Sequence, residues 1–204
     1  MLGYGSIGRQ VGNVARALGM RVHAYTRGEK VGGARRDEGY VVPGTGDREG
    51  VVPERWFSEE KDGLRGFLGS GLDVLVLAVP LTGNTKFLIG KEELEVLVRG
   101  RVGREGGAYV VNIARGGVLD QEALLERIRD PQGGLEGAAL DVVVPEPLGE
   151  ESGLWDEEKV LLTPHTSGLT TRYLERSMEI FAGNLERLEK GEPLVNVAEK
   201  GRGY

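Results

Sequence analysis

The chain has 204 residues and a net charge of −6, and so lacks the basic excess that nucleic-acid binding leaves on a sequence. The absence of cysteine excludes a disulfide framework, a thiolate nucleophile and a cysteine-held metal. No apolar run approaches membrane-spanning length and no basic-then-apolar leader opens the sequence, so one soluble, cytoplasmic domain with a substantial core is expected.

Gly3, Gly5 and Gly8 spell G-x-G-x-x-G, followed by an amphipathic run over residues 6–18 and a strand-like piece over 21–25. In such a turn Gly3 permits the tight bend off a strand, Gly5 lets the backbone approach a pyrophosphate, and Gly8 lets the helix pack on the sheet. The helix N-terminus then offers free N–H groups to phosphate. Among 34 glycines the motif alone is weak, and the βαβ spacing around it supplies the weight. Only Met1 and Leu2 stand where a central strand should precede Gly3. That strand is expected to be truncated, its neighbours to lose a pairing edge, and the chain to be a fragment that is marginally stable or aggregation-prone alone.

Residues 28–55 are polar and glycine-rich, with turn signals at Pro43-Gly44 and Gly46-Asp47. Residues 56–68 read as a short helix capped by Ser58, with Leu64, Phe67 and Leu68 inward. Residues 72–79 are a near-continuous apolar run, as in a strand buried on both faces, and end at Pro80. A helix at 91–98, a strand at 108–113 and a helix at 120–129 capped by Asp120 follow. Strands at 135–140 and 160–162 precede a long helix at 170–190, whose Leu174, Met178, Phe181 and Leu185 mark one apolar face. This alternation predicts an α/β fold, a Rossmann-like doubly wound parallel sheet covered on both sides. Residues 1–190 form the dinucleotide-binding domain, residues 191–204 a loosely held tail, and no second domain is evident.

Ligands of such sheets bind beyond the carboxyl ends of the strands. The residues there are Ser6 and Ile7, Thr26 and Arg27, Pro80 with Thr82, Arg115, Asp141 with Glu146, and His165. Of the two histidines, His23 lies inside a strand and reads as packed or surface imidazole. His165 follows Pro164 at a strand end among small residues. Glu146 is a candidate partner that would hold its tautomer, against the alternative of a solvated glutamate. Arg115, between Ala114 and Gly116, suits bidentate carboxylate binding, against the alternative of a structural salt bridge.

The stretches GYGSIG at 3–8, VVNIARGGVLD at 110–120, ALDVVVPEPL at 139–148 and TPHTSG at 163–168 together resemble the NAD(P)-binding domain of the D-isomer-specific 2-hydroxyacid dehydrogenase family. The ending VNVAEKGRGY and the long segment after Thr26 resemble fungal-type members. The resemblance implies reversible, NAD(P)-dependent reduction of a small 2-oxoacid to a D-2-hydroxyacid. Arg115 would hold the substrate carboxylate and carbonyl, Glu146 would be the carboxylate partner and His165 the acid/base. Gly3, Gly5, Ser6, Ile7, Gly8, Thr26, Arg27, Pro80, Ile113, Asp141 and Gly168 would face the cofactor. Glu146 stands where formate dehydrogenases of the superfamily carry glutamine, which disfavours that branch. The resemblance also allows a homodimer and implies a separate substrate domain, absent here.

Where the family commonly has aspartate for the ribose hydroxyls, this chain has Thr26-Arg27, which predicts a mild preference for NADP(H). Arg35 and Arg36 would add to it if their loop folds back. The competing reading is a dinucleotide-binding module without turnover, as in corepressor-like sensors. A methyltransferase built on the same glycine turn leaves Arg115, Glu146 and His165 unexplained.

Overall fold

The computed structural model describes residues 1–29, 39–101, 103 and 105–197. It contains α1 (Ser6–Ala17), β1 (His23–Thr26), β2 (Arg55–Ser58), α2 (Gly63–Leu68), β3 (Val74–Leu77) and α3 (Lys91–Arg99). These are followed by β4 (Ala108–Asn112), α4 (Gln121–Ile128), β5 (Leu135–Leu140), β6 (Val160–Leu162) and α5 (Tyr173–Lys190). All strand pairs are parallel: β1 with β2 on one side, and β3-β4-β5-β6 in order on the other.

The expectation that the strands beside the short first segment lose their pairing edge needs correction. Leu2 bridges both Tyr25 and Leu77, with its N–H donating to Val76 O at 2.8 Å and its carbonyl accepting from Ala78 at 2.8 Å. On the other flank Tyr25 N donates to Met1 O at 2.9 Å, and the Met1 amino group donates to His23 O at 2.7 Å. Two residues thus join the two sets of strands into one Rossmann-like sheet. Below Met1 a groove of about 640 Å³ runs between the early residues of β1 and β3, lined by Val11, Val14, Val22, Val74 and Val76. Burial in this setting lowers the Met1 amino group to about 5.

One face of the sheet carries α2, α3 and α4 over the main core, which includes Phe57, Phe67, Leu75, Leu77, Leu94 and Leu124. Each such fully buried side chain contributes roughly 1.5–3 kcal/mol. The opposite face carries α1, packed over Met1, Tyr4, Val22 and Ala24. Asp120 caps α4 as expected, accepting from the N–H groups of Glu122 and Ala123 at 3.1 Å each.

Three further expectations change. Residues 56–68 do not form one helix: Trp56 and Phe57 belong to β2, in register with Ala24 and Tyr25. The helix starts only at Gly63 behind Asp62, and the Ser58 hydroxyl caps nothing. The two aromatics decide this, since Phe57 packs on Phe67 and Trp56 meets Tyr4 edge-on.

The sheet is not covered throughout. No described residue of α5 is buried, and Leu174, Met178, Phe181 and Leu185 stand 47–74% exposed. On the strands, Tyr109 and Leu161 are likewise exposed. The start of the tail, finally, is held rather than loose. Asn184 exchanges hydrogen bonds with the backbone of Val195 at 2.9 and 3.0 Å, and Asn196 accepts from Tyr40 N at 3.1 Å.

Candidate active site at the carboxyl ends of the strands

The three glycines of the first turn differ in what surrounds them. Gly3 has φ +93°, and a Cβ there would lie 2.7 Å from Ala78 O, so only glycine fits. A Cβ on Gly8 would collide with the Gly3 carbonyl. Among the described residues Gly5 faces open space, with none of their atoms within 4 Å of where its Cβ would be. Gly5 also occupies the N-cap of α1, which no side chain caps and whose first turn has no acidic residue. An uncapped helix start beneath an open glycine is the cradle that a pyrophosphate needs, and the residues present fit a dinucleotide.

Ser6 and Ile7 are exposed beside this turn, Ile7 at 60%. Thr26 ends β1 half-buried, its hydroxyl donating to Gly28 O at 2.8 Å, and Arg27 is exposed next to it. Arg35 and Arg36 lie outside the described residues. Pro80 is exposed past β3, and its carbonyl accepts from the Thr85 hydroxyl at 2.6 Å. Ile113 is half-buried just past β4, and Gly168 is exposed.

Asp141, just past β5, has a structural task that the sequence did not reveal. Its buried carboxylate accepts from the Thr163 hydroxyl at 2.6 Å, Thr166 N at 2.8 Å, Ser167 N at 3.0 Å and the Ser167 hydroxyl at 2.5 Å. Burial alone would raise this carboxyl. The hydrogen bonds from Ser167, Thr163 and the Thr166 amide outweigh it and bring Asp141 down to about 2. The same residue's carbonyl accepts from His165 N at 2.9 Å. His165 has φ +53°, a left-handed conformation costly for a non-glycine residue, and Asp141 holds the loop on both sides of it.

His165 and Glu146 meet as the sequence suggested. The imidazole Nδ1 lies 2.6 Å from Glu146 Oε1, and the two side chains are 46% and 41% exposed. Glu146 sits between two prolines in a loop whose Val144–Pro145 and Glu146–Pro147 peptide bonds are both cis. Gln121, at the start of α4, fixes that loop: its amide donates to Val144 O at 2.6 Å and accepts from Val144 N at 2.7 Å. With Nδ1 engaged by the carboxylate, Nε2 is the nitrogen left to exchange a proton with a ligand.

Arg115 does not touch this pair. It is exposed, and its guanidinium donates back to Ala114 O at 2.7 Å. Its backbone is nevertheless carried to the Glu146 loop, because a Cβ on neighbouring Gly116 would run into the Val143 carbonyl. Buried Asn112 pins the turn, accepting from Ala114 N at 3.0 Å and donating to Arg115 O at 3.2 Å. The lone amide inside the apolar run 108–113 was a legible signal for that role. His23, as expected, is a packed imidazole: its Nδ1 lies 2.9 Å from the Ser70 hydroxyl, and burial lowers its pKa.

The parallel sheet, its βαβ start and the open glycine turn define a Rossmann-like dinucleotide-binding domain. The chain belongs to the D-isomer specific 2-hydroxyacid dehydrogenase family, whose NAD binding domain matches residues 58–167. The structure superposes on a D-isomer specific 2-hydroxyacid dehydrogenase from Xanthobacter autotrophicus Py2, crystallised with NADPH and MES. The TM-score is 0.76 at 30% identity, over all of this chain and 71% of that one. An NADPH-dependent glyoxylate/hydroxypyruvate reductase from Sinorhizobium meliloti, bound to NADP and sulfate, matches with TM-score 0.73 at 27% identity, over all of this chain and 55% of that one. Glyoxylate/hydroxypyruvate reductase A of Salmonella heidelberg is 33% identical over the whole chain and 55% of its own length. The chain thus spans about half the length of the curated relatives it matches.

Proposed function

We propose that this domain serves the reduction of a small 2-oxoacid to its D-2-hydroxyacid with a nicotinamide dinucleotide, NADP(H) preferred. The observation that carries the reading is the 2.6 Å contact between His165 Nδ1 and Glu146, at the same sheet edge as the open Gly5 turn. A bound nicotinamide supplies hydride chemistry that no side chain provides. Gly5, Ser6 and Ile7 would receive the pyrophosphate at the α1 N-terminus, and Pro80, Ile113 and Gly168 would border the nicotinamide end.

His165 donates a proton from Nε2 to the substrate carbonyl oxygen as that carbon is reduced, and takes one back in the reverse direction. Glu146 keeps Nδ1 protonated and stabilises the imidazolium that the reverse direction forms. Arg115 swings from Ala114 to bind the substrate carboxylate through its two-pronged guanidinium. The enzymes named above for glyoxylate and hydroxypyruvate support these two compounds as first substrates to try. Thr26 and Arg27 support NADP(H), because neither repels a 2′-phosphate and Arg27 attracts one.

The test is oxidation of NADPH by glyoxylate or hydroxypyruvate. It uses the chain alone, and the chain fused behind the remaining part of the Salmonella reductase. Turnover that disappears in His165→Ala supports the reading, and a fusion that binds NADPH yet reduces neither acid, nor any other 2-oxoacid, overturns it. The second reading, dinucleotide binding without turnover, is favoured by one observation, the Arg115 side chain turned back on Ala114.

A further inference from the structure

Asp47 belongs to none of the motifs, yet it is 6% exposed in a polar segment and ties that segment to the glycine turn. Its carboxylate accepts from the Tyr4 hydroxyl at 3.0 Å, Val51 N at 2.9 Å and Val52 N at 3.0 Å. Its carbonyl accepts from Arg9 Nη1 at 2.6 Å. Tyr4 stands between Gly3 and Gly5, and Arg9 lies in α1 directly after Gly8. Next to Asp47, Gly46 N donates to the Gln10 side chain at 2.5 Å.

The Tyr4 phenol lies against Gly12, where a Cβ would come within 2.9 Å of its oxygen, and Trp56 meets the ring edge-on at 5.1 Å. Burial and the Asp47 carboxylate push the phenol's pKa up, so it remains a donor at any working pH. Asp47 therefore ties its segment to both parts of the site, its carboxylate to the Tyr4 side chain of the glycine turn and its carbonyl to Arg9 in α1.

We propose that Asp47 is a positioning residue for the dinucleotide site, its carboxylate acting through Tyr4 on the backbone that receives the pyrophosphate. The 39–52 segment is then part of the binding apparatus, although none of it need touch the ligand. This rests on reading the Gly3–Gly8 turn as the dinucleotide site. The geometry of a turn that binds through backbone N–H groups matters within tenths of an ångström, and its glycines offer no side chain to set it.

The experiment titrates the 204-residue chain with NADPH by fluorescence. It compares wild type, Asp47→Ala and Tyr4→Phe well below each unfolding temperature and maps amide hydrogen exchange in parallel. Asp47→Ala should weaken NADPH binding about tenfold, with Tyr4→Phe in between. Exchange should speed up at residues 9–12, the first bonded amides of α1, and at 51–52, while the β3, β4 and β5 amides keep their protection. Wild-type affinity in Asp47→Ala, or loosening spread evenly over the sheet, overturns the proposal. If Asp47→Ala does not fold, Tyr4→Phe decides by the same two readouts. A wild type that binds no dinucleotide sinks the reading of the site instead. The exchange map then still judges whether Asp47 governs the turn.

Discussion

Replacing Asp141 by asparagine tests how the His165 loop is held. The carboxylate is buried and accepts from two hydroxyls and two amides of residues 163–167. Those bonds lower its pKa from 3.8 to about 2 against the opposing effect of burial. A folded-state pKa below the unfolded one means stability that is present above the unfolded value and lost as pH falls through the folded one. At roughly 1.4 kcal/mol per unit, the ionised group contributes about 2 kcal/mol at neutral pH and about half of that near pH 3.

Asparagine keeps one accepting oxygen and turns an NH₂ toward donors, so Asp141→Asn should lose at least this amount. For a chain of this size that is a drop of about 4–8 °C in Tm at neutral pH. Paired thermal melts of wild type and variant from neutral pH down to about pH 3 read it directly, and the gap should narrow as pH falls. A gap that is absent at neutral pH, or constant across the range, would show that the carboxylate does not hold the loop in its charged form.

In the fusion with a relative's remaining part, His165→Ala should lower kcat about 10²–10⁴-fold with NADPH affinity nearly unchanged, and equal loss of both would point to a structural role. Thr26→Asp should shift kcat/KM from NADPH toward NADH, and an unchanged ratio would refute the reading of Thr26-Arg27. Leu2→Ala, which keeps the backbone bridges and removes a fully buried side chain, should cost about 2–5 kcal/mol in equilibrium denaturation, and a loss under about 1 kcal/mol would contradict the place of Leu2 in the core. With the α5 face exposed and the groove beside Met1 open, the chain alone should self-associate in sedimentation, whereas a monomer at all concentrations would contradict this.

Much of the fold was legible because its signals are local. The apolar runs at 72–79 and 108–113 have one reading as buried parallel strands, and Asp120 marks a helix start by chemistry it then performs. The error at residues 56–68 came from a competition that local signals do not settle. Ser58 resembles a cap, but Trp56 and Phe57 pair with Ala24 and Tyr25 of β1 and Trp56 meets Tyr4, partners that lie elsewhere in the chain. The helical periodicity of α5 is legible in its sequence and its exposure is not, since an amphipathic pattern gives a face and not what covers it. At the site, Glu146 and His165 were legible as strand-end residues of matching chemistry. Asp47, Gln121 and the carboxylate of Asp141 each bond to partners 22 or more residues away in sequence, many of them backbone groups, and such pairings leave no local pattern.

The site divides into what this chain supplies and what a covering surface must add. Position is supplied here: glycines at 3, 8 and 116 admit close approaches that a Cβ would forbid, Gln121 fixes the Glu146 loop and Asp141 fixes the His165 loop. Dryness is not. The His165–Glu146 pair is 46% and 41% exposed, and a contact so open to water gains at most about 1 kcal/mol from its geometry. On the proposed reading, proton transfer tied to hydride transfer would need the lower dielectric of a closed cleft, where the same 2.6 Å contact would act far more strongly. A surface closing over this edge would therefore raise the rate without moving either residue. The requirement falls on kcat rather than on dinucleotide binding, because the Gly5 turn that would receive the dinucleotide is already built into this chain.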